Sequence, residues 1–172
     1  MHYRDWQIVA LILFVGAIGC GSSDNKNLGV TGTIASRVYQ AKSGAFDTIS
    51  TSSLLLAFLD SEVLCELATS GTTPTDIRWL SVSLCFPQEP STATVQIVPG
   101  NVTGDCTSAT AWATVRIMEA GNPSVLEAES GEMTIDSLDE LRVTGSLAIH
   151  FVDDSEVAGD FELEYCDALN SP

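Results

Sequence analysis

The sequence predicts an all-β fold, an antiparallel sandwich or flattened barrel of about eight or nine strands, following a distinct N-terminal segment. Three observations predict it. Apolar and polar residues alternate with period two in runs between residues 79 and 165, as on half-buried strands. Short pieces rich in Gly, Pro, Asp and Ser separate those runs and suit hairpin turns. No run reads as a long helix, so sheets must bury each other's apolar faces.

In chain order, Ile34 to Gln40, Leu54 to Leu59 and Val63 to Leu67 are the first predicted strands. The run from Leu54 to Leu59 is apolar on both faces, which fits a central strand or a turn and a half of buried helix; its length favours the strand. Between Trp79 and Phe86 the alternation puts Leu80, Val82, Leu84 and Phe86 on one face. Ala93, Val95 and Ile97 form the next face, and Pro99-Gly100 ends the run. Ala111, Ala113, Val115 and Ile117 oppose Trp112, Thr114, Arg116 and Met118. Val143 to Phe151 and Phe161 to Tyr165 supply the last two alternating runs. Turns are expected at Ser70 to Pro74, Pro87 to Ser91, Gly121-Asn122-Pro123 and Asp153-Asp154-Ser155. Ser137 and Glu140 have the spacing of a helix capping box, but the segment lies between two strands and fits a turn as well.

The N-terminus has a different character. A short polar stretch ends at Gln7, and Ile8 to Ile18 then runs eleven residues without a charge. A membrane-spanning helix needs about 20 apolar residues, whereas this run has the length of a signal-peptide core followed by small residues. Ala17-Ile18-Gly19-Cys20 resembles the lipobox of bacterial lipoproteins. The resemblance implies cleavage before Cys20 and diacylglycerol on its sulfur. One acyl chain anchors only marginally, at about 0.8 kcal/mol per buried CH₂; the two or three chains of these lipoproteins hold firmly. Residues 1–19 are then a signal peptide, 20–31 the lipidated cysteine with a flexible tether, and 32–169 a single all-β domain. Gly21 stands where an Asp would retain such a protein in the inner membrane. The implied location is the bacterial cell envelope, at the outer membrane rather than the inner.

Four cysteines remain besides Cys20: Cys65, Cys85, Cys106 and Cys166. An even number in an exported chain suggests two disulfides, with three possible pairings. No two have the C-x-x-C spacing of zinc or thioredoxin-like sites. The segments Gly131 to Ile135, Val143 to Leu147 and Val157 to Phe161, ending at Tyr165-Cys166, resemble the closing hairpins of other all-β envelope lipoproteins of unknown function. In those proteins the last cysteine pairs with one in the first half of the chain. The resemblance therefore implies Cys65–Cys166 and Cys85–Cys106.

Charge narrows the partners. The chain has 7 basic and 23 acidic residues, a net charge of −16. From Glu119 onward there are 14 acids against Arg142 alone. Such a surface repels nucleic acid and anionic lipid and attracts cations or basic proteins; it also serves solubility. Chemistry is sparse. After Cys20 there is one histidine, His150, on the polar side of a strand, too little for a Ser-His-Asp triad or a zinc site. The G-x-S-x-G, H-E-x-x-H, dinucleotide and P-loop motifs are absent. Glu162 and Glu164 have the separation glycoside hydrolysis requires, as any acidic strand does. Asp153, Asp154, Glu156 and Asp160 are candidate calcium ligands around one oxygen-rich turn, without a known calcium motif. The expected function is a binding or structural role at the envelope, not an enzyme and with no cofactor beyond possible calcium. Partners would be the membrane, through lipid on Cys20, and an envelope protein. Two rivals are a small-ligand carrier with an apolar barrel cavity and a carboxylate-based hydrolase.

Overall fold

The computed structural model describes residues 28–61, 64–65, 67, 74–100 and 106–170. Cys20, the expected signal peptide, most of the expected tether and Ser70 to Thr73 lie outside them. Ten strands follow one another: β1 (Thr31–Ile34), β2 (Arg37–Gln40), β3 (Ser43–Ser50), β4 (Ser53–Leu59) and β5 (Ile77–Cys85). Then come β6 (Ala93–Ile97), β7 (Thr110–Glu119), β8 (Asn122–Leu138), β9 (Arg142–Phe151) and β10 (Glu156–Tyr165). The class is all-β, as the alternation predicts, and β5, β7, β9 and β10 sit where the period-two runs place them.

Pairing runs β3-β4-β5-β7-β8-β9-β10 and returns from β10 to β3, so the ladder closes on itself as a ring. β6 wedges between β7 and β8 where those two diverge. The β1–β2 hairpin adds to the free stretch of β10 beyond β3. The expectation of a purely antiparallel sheet is corrected at two seams, β10–β3 and β6–β7, which are parallel and short.

Inside the ring the inward residues pack into one core. Leu54, Leu56, Phe58, Leu80, Leu84, Val115 and Leu163 are all fully buried there. A second, smaller core lies on the outer side of β3, β4 and β5, with Ala45, Ala57, Leu59, Ile77, Leu64 and Cys166. This explains why β4 is apolar on both faces. It also corrects the strand expected at Val63 to Leu67: Leu64, Cys65 and Leu67 are helical and cover β4 from outside.

Three further corrections concern turns. Ile34 to Gln40 is not one strand but a hairpin, reversing at Ala35 and Ser36 with φ of 50° and 60°. Its right-handed strand twist favours that left-handed turn geometry even without Gly or Asn, and the Ala35 N–H donates to the Ser155 hydroxyl at 2.9 Å. The turn expected at Gly121 to Pro123 falls earlier, at Ala120-Gly121, so that Pro123 belongs to β8 opposite Met118. There β8 has a neighbour on one side only, where a missing N–H is tolerated. Of the segment Ser137 to Leu141, which fitted a capped helix or a turn, Ser137 and Leu138 close β8 and only Asp139 to Leu141 turn: the Asp139 carboxylate accepts from the N–H of Leu141 and Arg142, both at 2.8 Å.

One end of the ring is closed by the β1–β2 hairpin. Ile34 and Tyr39 reach into the main core, and Arg37 pairs with Glu119 at the β7–β8 turn. On β10, Gly159 has φ 147°, and a Cβ there would overlap the Gly29 carbonyl. Gly159→Ala should lower stability by about 1–3 kcal/mol, as overpacking does, read from denaturant midpoints at an unchanged slope.

Tyr39 generates a second prediction. Its hydroxyl is fully buried with no hydrogen-bond partner among the described residues. Burial, and then the Asp60 charge, push its pKa well above the usual tyrosine value. An unfolded tyrosine ionises near pH 10 while Tyr39 in the fold stays protonated. Stability from this group is therefore intact below pH 10 and falls above it, at about 1.4 kcal/mol per pH unit. Tyr39→Phe should remove that alkaline loss and, by deleting an unpaired hydroxyl, raise stability at neutral pH by about 1 kcal/mol. Chemical denaturation at pH 7 and pH 11 checks both.

A cleft at the open end of the ring

At the end opposite the β1–β2 hairpin, the loops leave a cleft of about 580 Å³. Five segments build it. β3 contributes Phe46, Thr48 and Ser50, and the following turn and β4 contribute Thr51 and Leu54. Glu89 and Pro90 come from the β5–β6 loop, Leu138 from the end of β8 with Asp139 and Glu140 from the turn after it, and Tyr165 from the end of β10.

Backbone bonds hold these pieces in register. The Phe86 N–H donates to Ser52 O at 2.8 Å, which ties the β5–β6 loop to the β3–β4 turn. Tyr165 N–H donates to Leu141 O at 3.0 Å and Cys166 N–H to Phe46 O at 2.8 Å, joining both sides at the β10 end. The Phe46 and Tyr165 rings meet edge to face, centroids 5.7 Å apart at 72°, a favoured arrangement for an aromatic pair.

Behind Tyr165 lies the one carboxylate buried in the fold among the described residues, Asp47, only 3% exposed. Asp47 accepts from the Thr48 N–H at 2.7 Å and from the Tyr165 hydroxyl. Desolvation raises the Tyr165 pKa, the charge of Asp47 and its hydrogen bond raise it further, Asp167 adds to this, and a bond with Thr48 opposes it. The phenol is thus a neutral donor whose proton is directed at Asp47. The residue remains 40% exposed and lines the cleft.

The residues singled out by sequence fall elsewhere. Cys65 lies beside Cys166 with Cα atoms 6.4 Å apart, and Cys85 beside Cys106 at 5.9 Å, both within disulfide reach. Asp153, Asp154 and Glu156 are exposed around the β9–β10 turn, and Asp153 accepts from the Ser155 N–H at 3.0 Å. Asp160 is four residues further along β10, about 13 Å from Glu156 at the rise of a strand, so the four are not gathered. Among the described residues no group of three or more His, Cys, Asp or Glu is placed to hold a metal ion. His150 is exposed, 4.0 Å from Glu156. Glu162 pairs with Arg142 at 2.7 Å on the outer face, beside Glu164 and away from the cleft. Sequence reasoning missed Asp47 and Phe46 altogether; a carboxylate between an aromatic and a β-branched residue in Ala45-Phe46-Asp47-Thr48 was the available signal. No protein-family model, curated protein or solved structure matches the chain.

The cysteine positions give a direct test. Peptide mapping of oxidised protein without reductant should recover Cys65 linked to Cys166 and Cys85 linked to Cys106. The loops span 101 and 21 residues, for which the chain-entropy relation gives roughly 4.7 and 3 kcal/mol. Cys166→Ser should therefore cost more stability than Cys106→Ser.

Proposed function

We propose that this chain is a lipid-anchored cell-envelope protein whose β domain has a binding role, exercised through the cleft at its open end. The cleft carries the reading. It has the volume of a ligand site, about 580 Å³ within the usual 300–1,000 Å³, and hydrogen-bonded turns fix its walls. The ring itself is filled by Leu56, Phe58, Leu80 and Phe151, so a carried ligand would sit at this mouth rather than in an internal barrel cavity. That restricts the carrier reading to the same cleft. Hydrolysis by Glu162 and Glu164 has no support from their placement, and no cofactor enters the reading.

The anchor rests on Ala17-Ile18-Gly19-Cys20. Acylation of Cys20 would hold the domain at the outer membrane, and the acidic surface would keep it off anionic headgroups and nucleic acid. The partner is then a ligand or an envelope protein reached at the membrane surface.

Cys20→Ser should block processing, leaving a precursor that retains its first nineteen residues. Mass spectrometry of the wild-type protein from membranes should show an N-terminal cysteine carrying acyl chains. Correctly cut, unmodified protein in the soluble fraction would overturn the anchor.

A further inference from the structure

We propose that the cleft takes a small organic cation: an ammonium or guanidinium carried on an apolar body. The inference rests on the reading of the cleft as a binding site and adds the class of ligand.

The floor is apolar and partly aromatic. Phe46 and Leu54 are buried beneath it, Leu138 and Pro90 are half-buried at its sides, and the Tyr165 ring forms a wall. Leu141, 73% exposed, adjoins Tyr165 through the Tyr165 N–H to Leu141 O bond. The apolar surface therefore runs out to the lip, and an apolar body of modest size is covered on entry. Burial of that surface supplies the general part of the affinity.

Charge selects the headgroup. Among the described residues every charged one lining the cleft is an acid: Glu89, Asp139 and Glu140. Asp139 spends one oxygen on two backbone N–H groups, yet keeps its charge at the rim. The neighbouring Arg142 is turned to Glu162 on the outer face. At the Tyr165 hydroxyl the buried Asp47 adds a fourth negative charge in surroundings that screen it little. A cation over the ring face is attracted by the aromatic quadrupole and by all four carboxylates. An anion of the same shape meets only repulsion, in a chain of net charge −16.

Three probes with one apolar body separate the contributions: phenethylammonium, 2-phenylethanol and 3-phenylpropionate, titrated calorimetrically into the full chain. Phenethylammonium should bind about tenfold more tightly than the alcohol, and the anion should show no heat. The Glu89→Gln/Glu140→Gln double variant should lose most of that preference, weakening the cation more than it changes the alcohol. Tyr165→Leu should weaken the cation more than the alcohol. Raising salt from 0.05 to 0.5 M should weaken only the cation. Melting curves of the variants confirm that each is folded. Equal binding of all three probes, or a cation preference that survives the double variant, overturns the choice of ligand and leaves the cleft as a binding site. Failure of every probe to bind at millimolar concentration overturns both.

Discussion

Two residue pairs hold the ring shut. Glu164 lies against Ala45 and Tyr165 against Phe46, a parallel ladder that joins the last strand to the third. Parallel pairing is slightly less stable per residue than antiparallel pairing, and so short a seam would fray alone. The neighbourhood compensates. Leu163 packs down where Gly44 offers no Cβ, Cys166 continues the ladder through Phe46 O, and Cys65 approaches Cys166 one residue past the seam. The small outer core of Ala45, Ala57, Leu59 and Leu64 covers β3 and its neighbour β4 from outside. The cleft depends on this seam as well, because its aromatic pair, Phe46 and Tyr165, is the seam's last rung.

How much of this the sequence discloses depends on whether one face of a strand meets water. β5, β7, β9 and β10 are legible because their outward residues are polar. β3 is not: Ser43 and Asp47 are buried, Gly44 and Ala45 are small, and coverage on both faces erases the alternation. β4 shows the same cover from the other side, as an apolar run without alternation whose length alone favoured a strand over a helix. The helical residues around Cys65 looked like a strand because three apolar side chains are too few to establish a period. Reversals without Gly or Asn, such as Ala35-Ser36, leave no local mark, since their support comes from Ser155, 120 positions away.

The cleft was less legible than the fold for a related reason. Its lining comes from five stretches of chain that only the ring brings together. Asp47 reads in sequence as one of many acids, and its meaning arises from burial beside Tyr165. Asp139 was visible only as a residue inside a capping-box spacing, whereas its carboxylate in fact fixes the β8–β9 turn. The acidic turn at Asp153 was conspicuous in sequence; in the fold Asp153 accepts from the Ser155 N–H within the reversal, and Asp160 lies four residues beyond Glu156 along β10.

The hairpin β1–β2 and strand β3 lie side by side along one edge of β10. The first strands of the domain therefore wait for the last one. As the chain emerges from its N-terminus during synthesis, β3, β4 and β5 can assemble in order, but β1 has no ladder beyond its own hairpin until Glu156 to Ala158 arrive. Cys65 likewise has no disulfide partner until Cys166 arrives. Contacts of such high sequence separation are slow to form and leave strand edges open meanwhile. Assembly of this domain is thus gated by the arrival of β10, so a truncation of even the last ten residues removes Glu164, Tyr165 and Cys166 and with them the seam to β3.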